Sequence, residues 1–495
     1  MFDAIVIGAG ISGASIAREL ARYKLKILVL EKASDICVGT SRGNSATVHS
    51  GHDTLPGSKK AYFNVLGNAM YEVLCQELSV PFMRNGTIVF ATTEKDMETI
   101  YNLKERADAN KVPDVQVLDR KGLIKIEAGF GNDVLGGLYA PTGGIVCPYT
   151  LVTHTCYNAA KNGVEFLLNT EVSHIKKVNG MWLINTNHGN FTAKYVFNCA
   201  GTHADIINNM VSSKSFKIIP RKGEHIVLDK RFANLVKATI SQTPTDLPGG
   251  GHTKGMGMMP SVDGTLILGC PAYEVEDPDD SSTQENGLNQ IINYFVQYWN
   301  CFPISKDIPQ FPKKDIINCF GGVRAHLDTD DFIIGEVEDA PGFFNAVGIE
   351  SPGLTAGPAI GRYLVTEAAN KYGFEKNFNF YPHYICKKPF REMNDSERIE
   401  AIHENPDYGK LICRCEQVTL AEIKAAIHAP IGASSIDAVK MRTRAGMGRC
   451  QGGFCSPEVL RILADELGVT PLEITQRGEG SNVLVGRIGC SEKEE

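Results

Sequence analysis

The N-terminal segment constrains the fold of this chain more than any other. Ala4-Ile5-Val6-Ile7 is a short apolar run, and Gly8-Ala9-Gly10-Ile11-Ser12-Gly13 follows it without a break. An apolar run without alternation predicts a strand buried on both faces, as in a parallel sheet. Residues 13–23 predict a helix, and Lys26-Ile27-Leu28-Val29-Leu30 predicts a second strand ending at Glu31. Strand, glycine turn, helix and strand in that order form a βαβ unit that binds a dinucleotide. Gly8 permits the tight turn, Gly10 lets backbone approach a pyrophosphate, and Gly13 lets the helix pack on the strand. The amides at the helix N-terminus then face the anion. Glu31, eighteen residues beyond Gly13, is placed to accept hydrogen bonds from ribose hydroxyls. An acid there disfavours a 2′-phosphate and argues against NADP.

At 495 residues the chain exceeds one ordinary core, so two or three domains are expected. A net charge of -7 with no long basic run argues against nucleic acid as the main partner. Hydrophobic residues at 43% and charged residues at 22% suit a globular protein in water, and no apolar stretch has transmembrane length. Met1-Phe2-Asp3 does not open a signal peptide, and most of the fourteen cysteines sit singly in apolar surroundings, as Cys199 does. These features predict reduced thiols and a cytoplasmic location. Residues 195–198 predict a further strand of the first sheet, running into Ala200-Gly201. Residues 223–228 and 264–269 predict strands of a mixed sheet, so a second domain interrupts the nucleotide domain. Residues 384–409 are charged, proline-punctuated and weakly periodic, and read as a linker. Beyond them, Thr419-Leu420-Ala421-Glu422, Ser456-Pro457-Glu458 and Thr470-Pro471-Leu472-Glu473 carry helix-start signals.

Four cysteines mark this C-terminal part. Cys413-Arg414-Cys415 is a C-x-C pair, and Cys450 and Cys455 follow after thirty-four residues as C-x4-C. Zinc fingers use other spacings, although structural zinc stays open as an alternative. Four thiolates from two short loops are the ligand set of an iron–sulfur cluster. Lys440, Arg442, Arg444 and Arg449 lie nearby with no acid among them. They would stabilise an anionic cluster or form a docking patch for an acidic partner. A nucleotide cofactor joined to a one-electron centre implies an electron-transfer enzyme.

The glycines do not separate FAD from NAD; the segment Gly39-Thr40-Ser41-Arg42-Gly43-Asn44-Ser45-Ala46-Thr47-Val48-His49-Ser50-Gly51 does. Here the sequence resembles the FAD-dependent D-amino-acid-oxidase-like superfamily. Within it, the chain is similar to the glycerol-3-phosphate dehydrogenase and L-2-hydroxyglutarate oxidase branch. The resemblance continues in Gly143-Gly144-Ile145-Val146, Asn198-Cys199-Ala200-Gly201, Pro220-Arg221-Lys222-Gly223-Glu224, Gly321-Gly322-Val323-Arg324 and Gly348-Ile349-Glu350-Ser351-Pro352-Gly353-Leu354. Cys147 departs from the branch, which often has aspartate before the proline at 148. The segment 443–455 resembles the [2Fe-2S] module of bacterioferritin-associated ferredoxin, which also ends the catalytic subunit of anaerobic glycerol-3-phosphate dehydrogenases.

The resemblance implies an α/β FAD-binding Rossmann-like domain (about 1–80, 145–215 and 316–383) interrupted by an α+β mixed-sheet substrate domain (about 81–144 and 216–315). A linker (384–409), a small helical [2Fe-2S] domain (410–480) and a tail (481–495) would follow. It implies FAD contacts from Gly8, Gly10, Gly13, Glu31, Thr40, Ser41, Arg42, Asn44, Ser45, Val172, Ala200, Gly201, Gly353 and Leu354. Cys413, Cys415, Cys450 and Cys455 would hold the cluster. His49 is the candidate base, with a plain loop hydrogen bond as its alternative role. Arg324 is the candidate anchor for a phosphate or carboxylate, because a planar fork suits either, with an ordinary ion pair as its alternative role. Lys254 and Arg221 are weaker candidates for the same anion pocket. The expected reaction is oxidation of sn-glycerol 3-phosphate, with a 2-hydroxy acid such as L-2-hydroxyglutarate, or an amine, as the alternative substrate. Electrons would pass to a partner subunit or carrier, through which peripheral membrane association could arise. An electron-transfer subunit without its own substrate is the alternative of another class.

Overall fold

The structure, a computed structural model, describes residues 1–244 and 255–486. β1 (Phe2–Ile7), α1 (Ile11–Leu20) and β2 (Ile27–Leu30) form the expected βαβ unit. β1 is flanked in parallel by β2 and by β3 (Gly189–Asn198), with Ile5 opposite Leu28 on one side and Val196 on the other. Parallel pairing continues through Glu165–Leu167 beyond β2 and Phe343–Val347 beyond β3. The first half of β3 pairs antiparallel with Met181–Thr186, and an eight-stranded sheet results. The lack of alternation in β1 now has its cause. Ala4 and Val6 pack among helix residues on one face, while Ile5 and Ile7 pack against Ile184 and Phe343 on the other.

The second domain is a nine-stranded mixed sheet. β4 (Ile218–Leu228) pairs antiparallel with β5 (Leu266–Gly269) on one side and with β6 (Ile316–Leu327) on the other. The helix Glu285–Tyr298 covers the sheet, burying Ile291 and Phe295. β6 corrects one expected boundary. The sequence places residues 316–327 in the nucleotide domain, but β6 pairs with β4 from Ile218–Leu327 to Leu228–Ile316 and completes the substrate sheet. The nucleotide sheet resumes only with Ile333–Glu336. α2 (Gly353–Tyr372) then packs along α1 and along the helix Lys59–Glu77, closing the first unit.

The expected linker is also corrected. α3 (Asp395–Glu404) starts at a capping box in which Asn394 and Glu397 satisfy each other's amides. Phe390, Met393, Ala401 and Tyr408 bury together against Ala421, so the stretch is the first layer of the C-terminal module. Its charges lie on the exposed side. α4 (Ile436–Thr443), α5 (Ser456–Leu467) and the helix Leu420–Ile427 enclose a core that includes Ile423, Val439 and Leu463. The signal at Thr470 caps only a turn: Glu473 accepts from the Thr470 amide and hydroxyl, both at 2.8 Å, and no helix follows among the described residues.

Candidate active site and cluster centre

The glycine turn leaves a cradle with no side chains. Gly8 has φ +100°, and a Cβ there would lie 2.4 Å from the Cys199 carbonyl oxygen. A Cβ at Gly13 would lie 1.9 Å from the Gly8 carbonyl oxygen. The turn is thus pressed against the end of β3, where Ala200 and Gly201 follow, and Gly10 faces Ser41 across it. Glu31 stands at the end of β2, accepting from the Ala9 amide at 2.7 Å and the Ala33 amide at 2.9 Å. Burial pushes its pKa up against those two bonds. Val172 opens a strand two residues beyond Thr170, whose amide bonds the Glu31 carbonyl at 2.8 Å. Ser41 Oγ accepts from the Ile11 amide at 2.9 Å. The Asn44 side chain donates to the Ser41 carbonyl at 2.7 Å and accepts from the Ala46 amide at 2.9 Å. Ser45 offers its carbonyl to Thr47 Oγ1 at 3.2 Å. An open backbone cradle with an acid at its rim fits a dinucleotide such as FAD. Arg42 is the exception: its side chain turns away to Asp437 of α4, at 3.4 Å.

The same loop runs onto β6. Thr40 Oγ1 donates to the Val323 carbonyl at 2.6 Å, and a Cβ at Gly322 would lie 2.0 Å from the Gly43 carbonyl oxygen. Arg324 is the next residue along β6. His49 is fixed from several sides. Its amide donates to Thr355 Oγ1 at 2.9 Å, and its carbonyl accepts from Asn64 and Asn68 at 3.0 and 2.9 Å. Its Nε2 lies 3.3 Å from Ser351 Oγ. Gly353 and Leu354 begin α2 beside it, with the Leu354 carbonyl bonded by the Tyr71 hydroxyl. Glu350 braces this turn, bonded by Lys60 Nζ at 2.7 Å and His326 Nδ1 at 2.9 Å. Burial opposes its charge, but His326 and Lys60 outweigh burial and hold the carboxyl at about 2.

Arg324 Nη2 lies 2.7 Å from Cys270 Sγ, and Arg324 stands opposite Arg221 in the β4–β6 register. The Arg221 side chain points toward Glu274, at 3.8 Å, and is partly exposed. Lys254 lies outside the described residues. Two residues at this site were not foreseen from sequence. Cys270 follows β5, and His225 sits in β4 opposite Gly269 and Phe320. Nothing local in Gly223-Glu224-His225-Ile226 marks the histidine; only the cross-strand register brings it to Arg324's neighbourhood.

The four module cysteines converge. Cys415 and Cys450 sulfurs lie 3.5 Å apart, and Cys413 and Cys455 are hydrogen-bonded to each other. The proton shared in the second pair lowers the pKa of Cys413 and raises that of Cys455. Amides of Gly446 and Glu416 point at the Cys413 sulfur. Gly448 lets the loop close over Cys415, since a Cβ there would meet Cys415 Cβ at 2.3 Å. Cys413 and Cys455 are buried, Cys415 is exposed, and Phe454 stands 87% exposed between the two C-terminal ligands. Two facing thiol pairs with amide donors fit a [2Fe-2S] cluster.

The basic run proves to be a docking patch, but for acids of the same chain. Arg442 forks onto Asp35 with two 2.6 Å bonds and donates to Tyr157 Oη at 2.7 Å. Arg444 bonds Glu416 at 2.8 Å and pairs with Asp263 at 2.7 Å. Arg449 pairs with Asp229 at 3.2 Å. Lys440 is half-buried, and burial lowers its pKa. Met447, in the cluster loop, meets the Tyr149 hydroxyl at 3.7 Å. The cluster loop therefore touches the first turn of the helix Pro148–Lys161, which follows the strand Gly144–Val146 that pairs with Thr47–Val48 next to His49.

Residues 3–367 match the family model described as FAD dependent oxidoreductase, and residues 411–465 match the BFD-like [2Fe-2S] binding domain. The chain belongs to the FAD-dependent oxidoreductase family, with FAD and a [2Fe-2S] cluster as its cofactors. It is 42% identical to a glycerol 3-phosphate dehydrogenase of Caloramator mitchellensis, over 98% of each chain. It is 28% identical to a glycerol 3-phosphate oxidase of Mycoplasma pneumoniae, covering 76% of this chain and 97% of that one. The solved structure of the dithionite-reduced L-alpha-glycerophosphate oxidase of Mycoplasma pneumoniae, with FAD bound, superposes with a TM-score of 0.71 at 27% identity, covering 78% of this chain and 99% of that one. Among the described residues, no helix is long and apolar enough to cross a membrane.

Proposed function

We propose that this chain oxidises sn-glycerol 3-phosphate to dihydroxyacetone phosphate and passes the electrons to an external acceptor. The observation that carries this reading is the contact of the Thr40–Val323 hydrogen bond, which lays the FAD loop directly against the strand bearing Arg324. The full-length relation to a glycerol 3-phosphate dehydrogenase supports phosphate over carboxylate as the anion. FAD supplies a two-electron acceptor when bound, and the [2Fe-2S] cluster a one-electron relay. Arg324 holds the phosphate by a bidentate fork, with Arg221 on the adjacent strand adding positive potential. His49, positioned by Thr355, Asn64 and Asn68, takes the hydroxyl proton at Nε2, where Ser351 now sits. The N-terminus of α2 at Gly353 and Leu354 offers positive dipole beside that centre. Cys413, Cys415, Cys450 and Cys455 hold the cluster, and the exposed edge at Cys415 and Phe454 faces the acceptor, a partner subunit or carrier. The unpaired cysteines among the described residues support a reducing, cytoplasmic setting for this work. Anaerobic titration tests the reading. Glycerol 3-phosphate should bleach the flavin absorbance where L-2-hydroxyglutarate and small amino acids do not. Bleaching by L-2-hydroxyglutarate alone would move the assignment to that acid, and bleaching by none would leave an electron-transfer subunit.

A further inference from the structure

One group of reactive side chains at this site has no part in the proposed oxidation. Cys270 Sγ lies 2.7 Å from Arg324 Nη2, and the residue is partly buried. His225 is 2% exposed and stacks on Phe320 with ring centroids 4.8 Å apart. Neither of its ring nitrogens has an oxygen or nitrogen partner among the described residues, and the ring faces the Cys270 sulfur. Burial raises the pKa of Cys270, but Arg324 and His225 outweigh it and lower the thiol to about 6. Burial instead pushes Cys37, Cys75 and Cys147 up to about 12, and raises Cys386, which is more exposed than Cys270. Outside the cluster, Cys270 thus differs from these thiols in having its pKa held down by its neighbours and in touching the proposed substrate anchor.

We propose that Cys270 is an oxidative modification site inside the anion pocket, where a hydroperoxide converts its sulfur to a sulfenic acid that occupies the Arg324 fork. The thiolate attacks the O–O bond: an S–O bond forms, the O–O bond breaks, and hydroxide (or alkoxide) leaves into solvent, where a buffer acid protonates it. Sulfur loses two electrons and the peroxide gains them. The added oxygen sits where a substrate phosphate would be held, so modification weakens substrate binding. Two thiol equivalents reverse it, giving back the cysteine, one disulfide and water. This rests on the assignment of Arg324 as the anchor.

The test uses full-length holoenzyme treated with a few equivalents of hydrogen peroxide, trapped with a cyclic 1,3-diketone and mapped by peptide mass. Label should appear at Cys270 ahead of Cys386, fall when glycerol 3-phosphate or inorganic phosphate is present, and fall in Arg324→Gln. After peroxide is removed, the concentration of glycerol 3-phosphate needed for half-bleaching of the flavin should rise at least about tenfold, the loss of one charge-assisted contact. Dithiothreitol should restore it, and treated Cys270→Ser should match its own untreated value. Label at Cys386 first, or label at Cys270 with unchanged half-bleaching, overturns the proposal. If untreated holoenzyme is not bleached by glycerol 3-phosphate at all, the substrate assignment fails, and the order of labelling still decides whether Cys270 is the reactive thiol.

Discussion

Arg324 is a cation beside another cation, Arg221, across the β4–β6 pair, with a sulfur as its contact at 2.7 Å. Such a group is placed to receive an anion. Arg324→Lys keeps the charge and loses the planar fork. It should lower kcat/KM for glycerol 3-phosphate by roughly 30- to 1000-fold, about 2–4 kcal/mol of transition-state binding. FAD content and cluster signal should stay unchanged, and the loss should shrink for a substrate analogue without the phosphate. Equal losses for charged and uncharged substrates would make Arg324 a support of the fold. At this scale the sequence was legible wherever function depends on consecutive residues. The glycine turn, Glu31, the loop from Thr40 to His49 and the cysteine pairs all act through local backbone, which is why the sequence could single them out. Arg42 carries a contact no local pattern announces, an ion pair with the distant Asp437. Cys270 and His225 were invisible because their meeting depends on strand register and burial, which no local pattern encodes.

Among elements, the turn before α2 stands out for its electrostatics. Glu350 joins it to the helix Lys59–Glu77 through Lys60 and to β6 through His326. Its folded pKa of about 2 lies below the ordinary 4.5, so its stabilisation is complete above that ordinary value and is lost as pH falls toward 2. The term is on the order of 3 kcal/mol. Thermal unfolding followed by circular dichroism should therefore show a midpoint that drops steeply between pH 4.5 and 2. Glu350→Gln should be less stable at neutral pH and show a flatter acid limb; an unchanged slope would mean the Lys60–Glu350–His326 contact carries no net stabilisation. Strands and helices were legible where composition was one-sided, as in β1 and β2. The segment 384–409 was not, because a thin surface layer needs few apolar residues. Phe390, Met393, Ala401 and Tyr408 suffice against Ala421, and the charges around them hide the helix. β6 was misplaced for a different reason: its partner β4 is nearly a hundred residues earlier, and an antiparallel pairing over that distance leaves no mark on either strand alone.

At the scale of the whole molecule, two units with their own cores meet at a seam of buried ion pairs, with Ile431 of the module packed into the core around α1. The module core, with Ile423, Val439 and Leu463, is distinct from the core around α1. Cys450→Ser should therefore abolish the paramagnetic signal of the reduced cluster while FAD stays bound and is still bleached by substrate; loss of both together would make the cluster a condition of folding. The seam holds the cluster loop against the unit that carries the FAD cradle. Arg442 is its centre, 4% exposed, bound to Asp35 by a fork and to Tyr157 and the Ile431 carbonyl as well. Removing one partner of a buried, fully bonded pair leaves the other charge stranded, at a cost of about 3–5 kcal/mol. Arg449, 62% exposed and paired with Asp229, is the contrasting case, worth roughly 0–1 kcal/mol after solvent screening. Arg442→Ala should loosen the module on its seat, so that proteolysis between Tyr384 and Pro389 quickens and cluster reduction after rapid mixing with substrate slows by tenfold or more, about 1.4 kcal/mol in the barrier. Flavin bleaching in the same experiment should keep its rate, because neither Arg442 nor Asp35 belongs to the loop that carries His49 or to the strand that carries Arg324. Arg449→Ala should leave both rates near those of the unaltered chain. If Arg442→Ala and Arg449→Ala behave alike, the buried fork does not set the distance between the two centres, and the Arg444–Asp263 pair is the next contact that can.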